Sequence, residues 1–321
     1  MELKNIAIIG PRGNVGALII KELLKDGDRY AITAITRPSS TYEPPPETTI
    51  TAKSADFDSL ASLTDAFVGQ DAVVNCISGG ATQYEPSKRI IDAAIAAGVK
   101  FFFANEFVGH VTSDQYKRMP EGFVGAKLRI RQYLEELGKK GELAWTALNG
   151  GPFFDMWLMK GPAGFSIPTK EARIYGTGAN PLCWTPLPTM AFAAANMLRN
   201  PYSVANRPIY ICPLPGLTQN SILAALEKVL ETEFTVQVID VKKINENARD
   251  ALEKGEIAKA MRGLTISNQF YEGDSGNDFR SLVENETVGV VNVSLEEAVR
   301  QAVEKYGLET PVVESLFRVD P

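Results

Sequence analysis

Along residues 1–150, short apolar runs alternate with stretches whose apolar positions recur every three or four residues. Ile6-Ala7-Ile8-Ile9 is apolar throughout and closed by Gly10, as a strand covered on both faces should be. Val15, Leu18, Ile19 and Leu23 then fall on one helical face, which Asp26-Gly27 stops. Tyr30 to Thr36 reads as a second strand, and Thr49 to Lys53, beyond a loop containing Pro44-Pro45-Pro46, as a short third. The pattern continues with a helix over Leu60 to Phe67 and a strand over Asp71 to Ile77. A helix follows with Pro86 in its first turn and Gly98 past its end. Phe101 to Ala104 is the fifth strand, Phe123 to Leu137 a helix and Ala144 to Leu148 the sixth strand. Six strands alternating with helices, save for the loop between the second and third, predict an α/β fold, a Rossmann-type doubly wound parallel sheet.

Beyond Asn149 the alternation weakens, and Gly and Pro recur through residues 150–188. Helices are expected at Met190 to Leu198, Ser221 to Leu230 and Ser294 to Tyr306, the last opened by a capping box, Ser294-x-x-Glu297. Ile209 to Ile211 and Phe234 to Val241 read as strands. The expected organisation is a nucleotide-binding domain over 1–150 and a smaller mixed substrate lobe over 151–321. The second is expected to return in part to complete the first sheet.

Composition removes several function classes. A chain of 321 residues with net charge −6 offers no clustered Lys/Arg face for nucleic acid. No run approaches the roughly 20 apolar residues of a membrane span, and the first residues lack signal-peptide regions, so a cytoplasmic protein is expected. Three dispersed cysteines and one histidine, His110, supply no disulfide framework and no metal motif. The Gly-x-Ser-x-Gly elbow of serine hydrolases is missing, since Cys76 occupies the first glycine position before Ser78.

The chemistry that remains is dinucleotide binding. Gly10-Pro11-Arg12-Gly13-Asn14-Val15-Gly16 is Gly-x-x-Gly-x-x-Gly between the first strand and the first helix. Its glycines allow a tight turn, close approach of the backbone to a pyrophosphate and close helix packing. The acidic residue expected about 20 positions on, which would hold the ribose hydroxyls of NAD, is absent. Arg37 ends the second strand instead, and with Arg12 could clamp a 2′-phosphate, which favours NADP(H). The bland alternative is two solvated arginines. Asp56 and Phe57 are candidates for the adenine, although Asp56 could equally start a helix, and Ser78-Gly79-Gly80 lies at the carboxyl edge where small residues let a cofactor pass.

The glycine pattern, Asn105-Glu106-Phe107-Val108-Gly109 after the fifth strand, and Lys127 in Phe123-Val-Gly-Ala-Lys127-Leu-Arg-Ile-Arg131 resemble the NmrA-like and isoflavone reductase-like branch of the atypical short-chain dehydrogenases. The likeness is strongest over residues 1–160. It implies a reductase with NADP across the strand ends, a lysine beside the nicotinamide, and Asn149, Pro152 and Phe153 against that ring. Two departures stand out: Asn105 replaces the serine of the family's Ser-Glu-Phe-Gly-like segment, and Val108 is inserted before Gly109.

Short-chain dehydrogenases usually carry Tyr-x-x-x-Lys on this helix, and here that spacing reads Phe123-x-x-x-Lys127, so Lys127 itself would have to move the proton. Its alternatives are ribose binding without turnover and a solvated helix lysine. Tyr84-x-x-x-Lys88 reads as coincidence. Glu106 could orient Lys127 or be structural. Phe107, Phe154 and Trp157 are candidate walls of a pocket for a small, flat aromatic substrate, with most of the Phe153 to Met159 stretch expected in a core. The expected function is hydride transfer from NADPH to a carbonyl or activated alkene of a small aromatic or phenolic metabolite. The alternative is an NmrA-type redox sensor that binds NADP without chemistry. A homodimer or a regulatory protein partner is left open.

Overall fold

The computed structural model describes residues 1–273 and 276–321, and within these the side chains at 80, 81, 123 and 125 are not described. Seven strands form one parallel sheet: β1 (Asn5–Ile9), β2 (Ala31–Thr36), β3 (Thr51–Ser54), β4 (Ala72–Asn75), β5 (Phe101–Ala104), β6 (Ala144–Asn149) and β9 (Arg207–Tyr210). A smaller sheet holds β7 (Phe165–Ser166), β8 (Glu171–Tyr175) and β10 (Thr235–Ile239). The large sheet runs β3-β2-β1-β4-β5-β6-β9, so strand order reverses between β1 and β4, where open α/β sheets bind ligands.

Alternation along β1 explains the two layers. Ile6 and Ile8 point to a core that also takes Val15, Ile19 and Leu23 of the helix Asn14–Leu24 and Met190, Ala194 and Met197 of the helix Leu187–Arg199. Ala7 and Ile9 point to the opposite core, closed by the helices Leu60–Phe67, Tyr84–Ala96 and Ala126–Lys140. Both faces are dry, which is why these strands read as continuous apolar runs. The second half of the chain contributes β9 and the helix Leu187–Arg199 to this first layer.

The second lobe differs most from expectation. Residues 150–188, read as irregular, hold the helix Phe154–Lys160 and the strands β7 and β8. The helices Val241–Glu253 and Ile257–Phe270, which pack on each other, were not anticipated. Smaller differences are instructive as well. The fourth strand is confined to Ala72–Asn75, because the Asn75 side chain accepts from the Ile77 amide and turns the chain. The helix expected from Phe123 begins as a π-helical turn over Glu121–Gly125 before the α-helix Ala126–Lys140. Ser294 does accept from the Glu297 amide, but the reciprocal capping box belongs to Thr218 and Ser221. No helix among the described residues is long and apolar enough to cross a membrane.

Candidate active site

A cleft of about 340 Å³ opens at the β1/β4 reversal. It is lined by Gly10 to Gly13 after β1, Ile35 to Arg37 with Ser39 and Ser40 at the end of β2, Phe57 after β3 and Cys76 to Ser78 after β4. Gly10 has φ +81°, and a Cβ there would lie 2.6 Å from the Cys76 carbonyl oxygen. A Cβ on Gly16 would lie 2.4 Å from the Gly10 carbonyl oxygen, so the helix start can press against the turn only as glycine. Gly13 caps this helix without a side-chain acceptor, and no acid occupies its first turn. The leading N–H groups at Asn14, Val15 and Gly16 are therefore left for an anion arriving from the cleft.

The two arginines sit differently. Arg12 donates from Nη1 to Thr41 Oγ1 at 2.9 Å, whereas Arg37 is exposed and makes no ion pair among the described residues. Ser39, Ser40 and Thr41 add hydroxyls beside them that the sequence reading passed over. The signal was there, as a hydroxyl run directly after Arg37-Pro38. Phe57 lines the cleft, while exposed Asp56 turns one carboxylate oxygen to the Asp58 amide at 3.0 Å, a turn-building role. Ser78 and Gly79 are exposed at the rim; Gly80 lies among the side chains not described.

Across the sheet edge, a second group of candidates surrounds the end of β5. Lys127 Nζ donates to the carbonyl oxygens of Asn105 at 2.6 Å and Glu106 at 3.0 Å. Its third N–H has no protein partner among the described residues. Lys127 keeps part of its surface, but its ammonium end is enclosed. That desolvation brings the pKa down to about 8, against a smaller upward pull from Glu106. Asn105 also ties the strands together through Nδ2 to the Ile77 carbonyl. Phe107 adopts φ +41° and stacks on Phe103 with centroids 5.8 Å apart. Such a backbone costs about 1–3 kcal/mol and persists only where its surroundings fix it, here partly through the Phe107 amide on the Leu148 carbonyl at 2.9 Å.

Asn149 ends β6 fully buried, and neither its Oδ1 nor its Nδ2 has a hydrogen-bond partner. A buried amide costs about 1–3 kcal/mol when unpaired, so this orphan fits a site built for a polar ligand group. Pro152 and Phe153 are half-buried beside it, and the Phe153–Thr185 bridge fixes the segment.

The aromatic candidates separate on burial. Phe154 is fully buried in the second-lobe core and has no face for a ligand, because the helix Phe154–Lys160 turns it inward with Leu158. Phe107 keeps 9% of its surface, and Trp157 is half-buried with its ring edge-on to Trp184 at 5.3 Å.

Glu106 does not pair with Lys127. Its carboxylate accepts both Nε (2.7 Å) and Nη2 of Arg131, and the two side chains are 1% and 2% exposed. Breaking a buried pair of this kind costs about 3–5 kcal/mol. Arg131 was missed, although it shares the buried helix phase with Ile130, Leu134 and Leu137. His110 stays peripheral, bonded to Thr112 at 2.8 Å. Lys88 pairs with Asp92, and Arg129 covers the Tyr84 ring, so that Tyr/Lys spacing is structural. The side chain of Phe123 lies outside the described residues. No acidic, thiol or imidazole cluster among them could hold a metal.

Comparison with known proteins shows the class to which the chain belongs. A family model described as NAD(P)H-binding matches residues 10–162. The oxidoreductase aprR of Aspergillus flavus is 31% identical over 288 residues, 86% of this chain and 94% of that protein. Among solved structures, AtPrR2 with NADP+ and (+)pinoresinol has a TM-score of 0.74 at 20% identity, covering 94% of this chain and all of that one. The NADPH complex of the quinone oxidoreductase QOR2 from Escherichia coli has a TM-score of 0.70 at 21% identity, covering 92% and 99%. The chain belongs to the oxidoreductase family of aprR, carries an NAD(P)H-binding domain over residues 10–162, and shares its fold with solved pinoresinol and isoflavone reductases. It is an enzyme of that oxidoreductase class.

Proposed function

We propose that the protein is an NADPH-dependent reductase that delivers a hydride to a carbonyl or activated alkene of a small aromatic or phenolic molecule. The observation that carries this reading is Lys127: an ammonium held by two carbonyls, with one N–H free and a pKa of about 8. NADPH, when bound, supplies the hydride. Lys127 then gives its free proton to the oxygen on which negative charge develops, while the Asn105 and Glu106 carbonyls keep Nζ in place. The orphaned Asn149 amide, with Pro152 and Phe153, holds the polar end of the nicotinamide. Arg37 and Arg12 hold the 2′-phosphate, and the uncapped helix start with Ser78 and Gly79 the diphosphate. In this assignment residues 1–150 bind cofactor and 151–321 supply the substrate side. Phe153 and Trp157 offer partly exposed aromatic faces at the start of that half, and buried Phe107 backs them from the β5 side. The (+)pinoresinol bound to AtPrR2 and the quinone oxidoreductase activity of QOR2 support an aromatic substrate.

Steady-state oxidation of NADPH against a panel of quinones, enones and aromatic ketones tests the reading. Turnover of at least one class is expected. Tight NADPH binding with no turnover of any would favour a redox sensor instead. Two further outcomes follow. Arg37→Ala weakens NADPH by about 10–100-fold and leaves NADH unchanged, since only the former carries the phosphate that a guanidinium would bind. Equal losses for both coenzymes in a fluorescence titration would remove that role. For pH, the acid must be protonated to donate, so kcat is flat below the Lys127 pKa and declines above about 8. A decline beginning only where an ordinary lysine titrates would contradict the lowered pKa of Lys127.

A further inference from the structure

We propose that Glu106 and Arg131 are positioning residues for Lys127, together fixing the two carbonyls that hold its ammonium and the charge that it faces. The inference rests on the reading of Lys127 as proton donor, and it deepens that reading. Lys127 and Arg131 lie one turn apart on the helix Ala126–Lys140. Both reach the same short segment after β5: Lys127 takes the carbonyl oxygens of Asn105 and Glu106, and Arg131 takes the Glu106 carboxylate through two of its nitrogens. One residue, Glu106, is thereby gripped at its main chain and its side chain by neighbouring turns of one helix. A shift of Glu106 would displace an acceptor of Nζ.

The pair is itself braced. The Arg131 guanidinium lies 5.6 Å from the centre of the Trp145 ring on β6 and interacts with the Tyr210 hydroxyl on β9. Trp145 and Tyr210 belong to hydrogen-bonded neighbouring strands, so the clamp is anchored in the sheet. The Phe107 backbone, at φ +41°, follows directly, and its amide is tied to Leu148 on β6. A strained residue next to a doubly gripped one indicates that this loop is held in place.

The charged and titratable groups around the clamp come from every side. Glu106 approaches from the β5 loop and is the charge that acts on Lys127. Arg131 on the shared helix, Tyr210 from β9 and Tyr116 from the helix Asp114–Lys117 interact with Glu106, and the His110 ring, edge-on to Tyr210, feels the Arg131 charge from the loop beyond. Removing the Glu106 charge therefore leaves the ammonium desolvated with no counter-charge, and it loses its proton more readily.

Competitive acetylation of the full chain with acetic anhydride across pH, read by peptide mass, follows the ionisation of Lys127 without any need for turnover. In Glu106→Gln the labelling midpoint of Lys127 is expected to fall by about one pH unit, and the alkaline decline in kcat by the same amount. The double variant Glu106→Gln with Arg131→Met removes both ions at once, which buried pairs tolerate better than the loss of one. It keeps the test valid if the single variant unfolds, and a downward shift in the same direction but smaller is expected, because the Arg131 cation that repels the ammonium is removed as well. A midpoint unmoved in a folded variant overturns the inference. A midpoint that moves while the kinetic decline stays put upholds the positioning role and counts against Lys127 as the donor, so the two readings fail separately.

Discussion

Lys127→Met lowers kcat for reduction by about 10²–10⁴-fold, the usual contribution of a positioned general acid. The methionine retains an apolar stem in the same space, so the fold and the coenzyme site are kept. What disappears is an ammonium beside the end of β5 with one N–H unpaired among the described residues and a pKa of about 8. Desolvation wins over the Glu106 charge here, and a proton held this loosely transfers near neutral pH. NADPH titration of the variant by fluorescence separates loss of chemistry from loss of binding. Undiminished kcat on an identified substrate would show that the proton comes from elsewhere.

Gly16→Ala acts on binding. Its Cβ would stand 2.4 Å from the Gly10 carbonyl oxygen, a main-chain atom that cannot swing aside. The helix start must retreat from the turn, at a cost of about 1–3 kcal/mol in stability. The leading N–H groups, which in the proposed assignment meet the diphosphate, move with it. Each hydrogen bond to a charged group contributes about 1.5–3 kcal/mol, so the loss of two weakens NADPH by at least about 10²-fold. Calorimetric titration alongside a thermal melt gives both numbers. Unchanged affinity in the folded variant would mean that the glycine turn is only a tight packing joint.

The centre of the large sheet was legible because β1, β4 and β5 are buried on both faces, a demand that apolar runs such as Ile6 to Ile9 and Phe101 to Phe103 meet. The glycine turn was legible for a similar reason, since backbone contacts at Gly10 and Gly16 exclude any side chain. The second lobe lacks such constraints. β8 carries Arg173 in its middle, 3% exposed and paired with Asp320 across 147 residues, which breaks the apolar pattern that would mark a strand. The helix Val241–Glu253 is mostly polar, and its narrow buried stripe of Val241, Ile244, Ala248 and Ala251 was easily passed over. At the site, the lysine and its helix could be read, but not what holds them. Glu106 and Arg131 are 25 residues apart, and only the fold shows that the carboxylate serves the arginine while the carbonyl serves the lysine. Asn149 could be placed at the end of a strand, whereas its unpartnered amide is a property of packing alone.

Isothermal titration calorimetry of the purified chain with NADPH, and in parallel with NADH, tests most directly whether the turn after β1 cradles a dinucleotide. One NADPH per chain is expected, bound at least about tenfold more tightly than NADH because of the arginine-lined wall. A folded protein that takes up neither coenzyme would contradict the assignment of the cleft and everything built upon it.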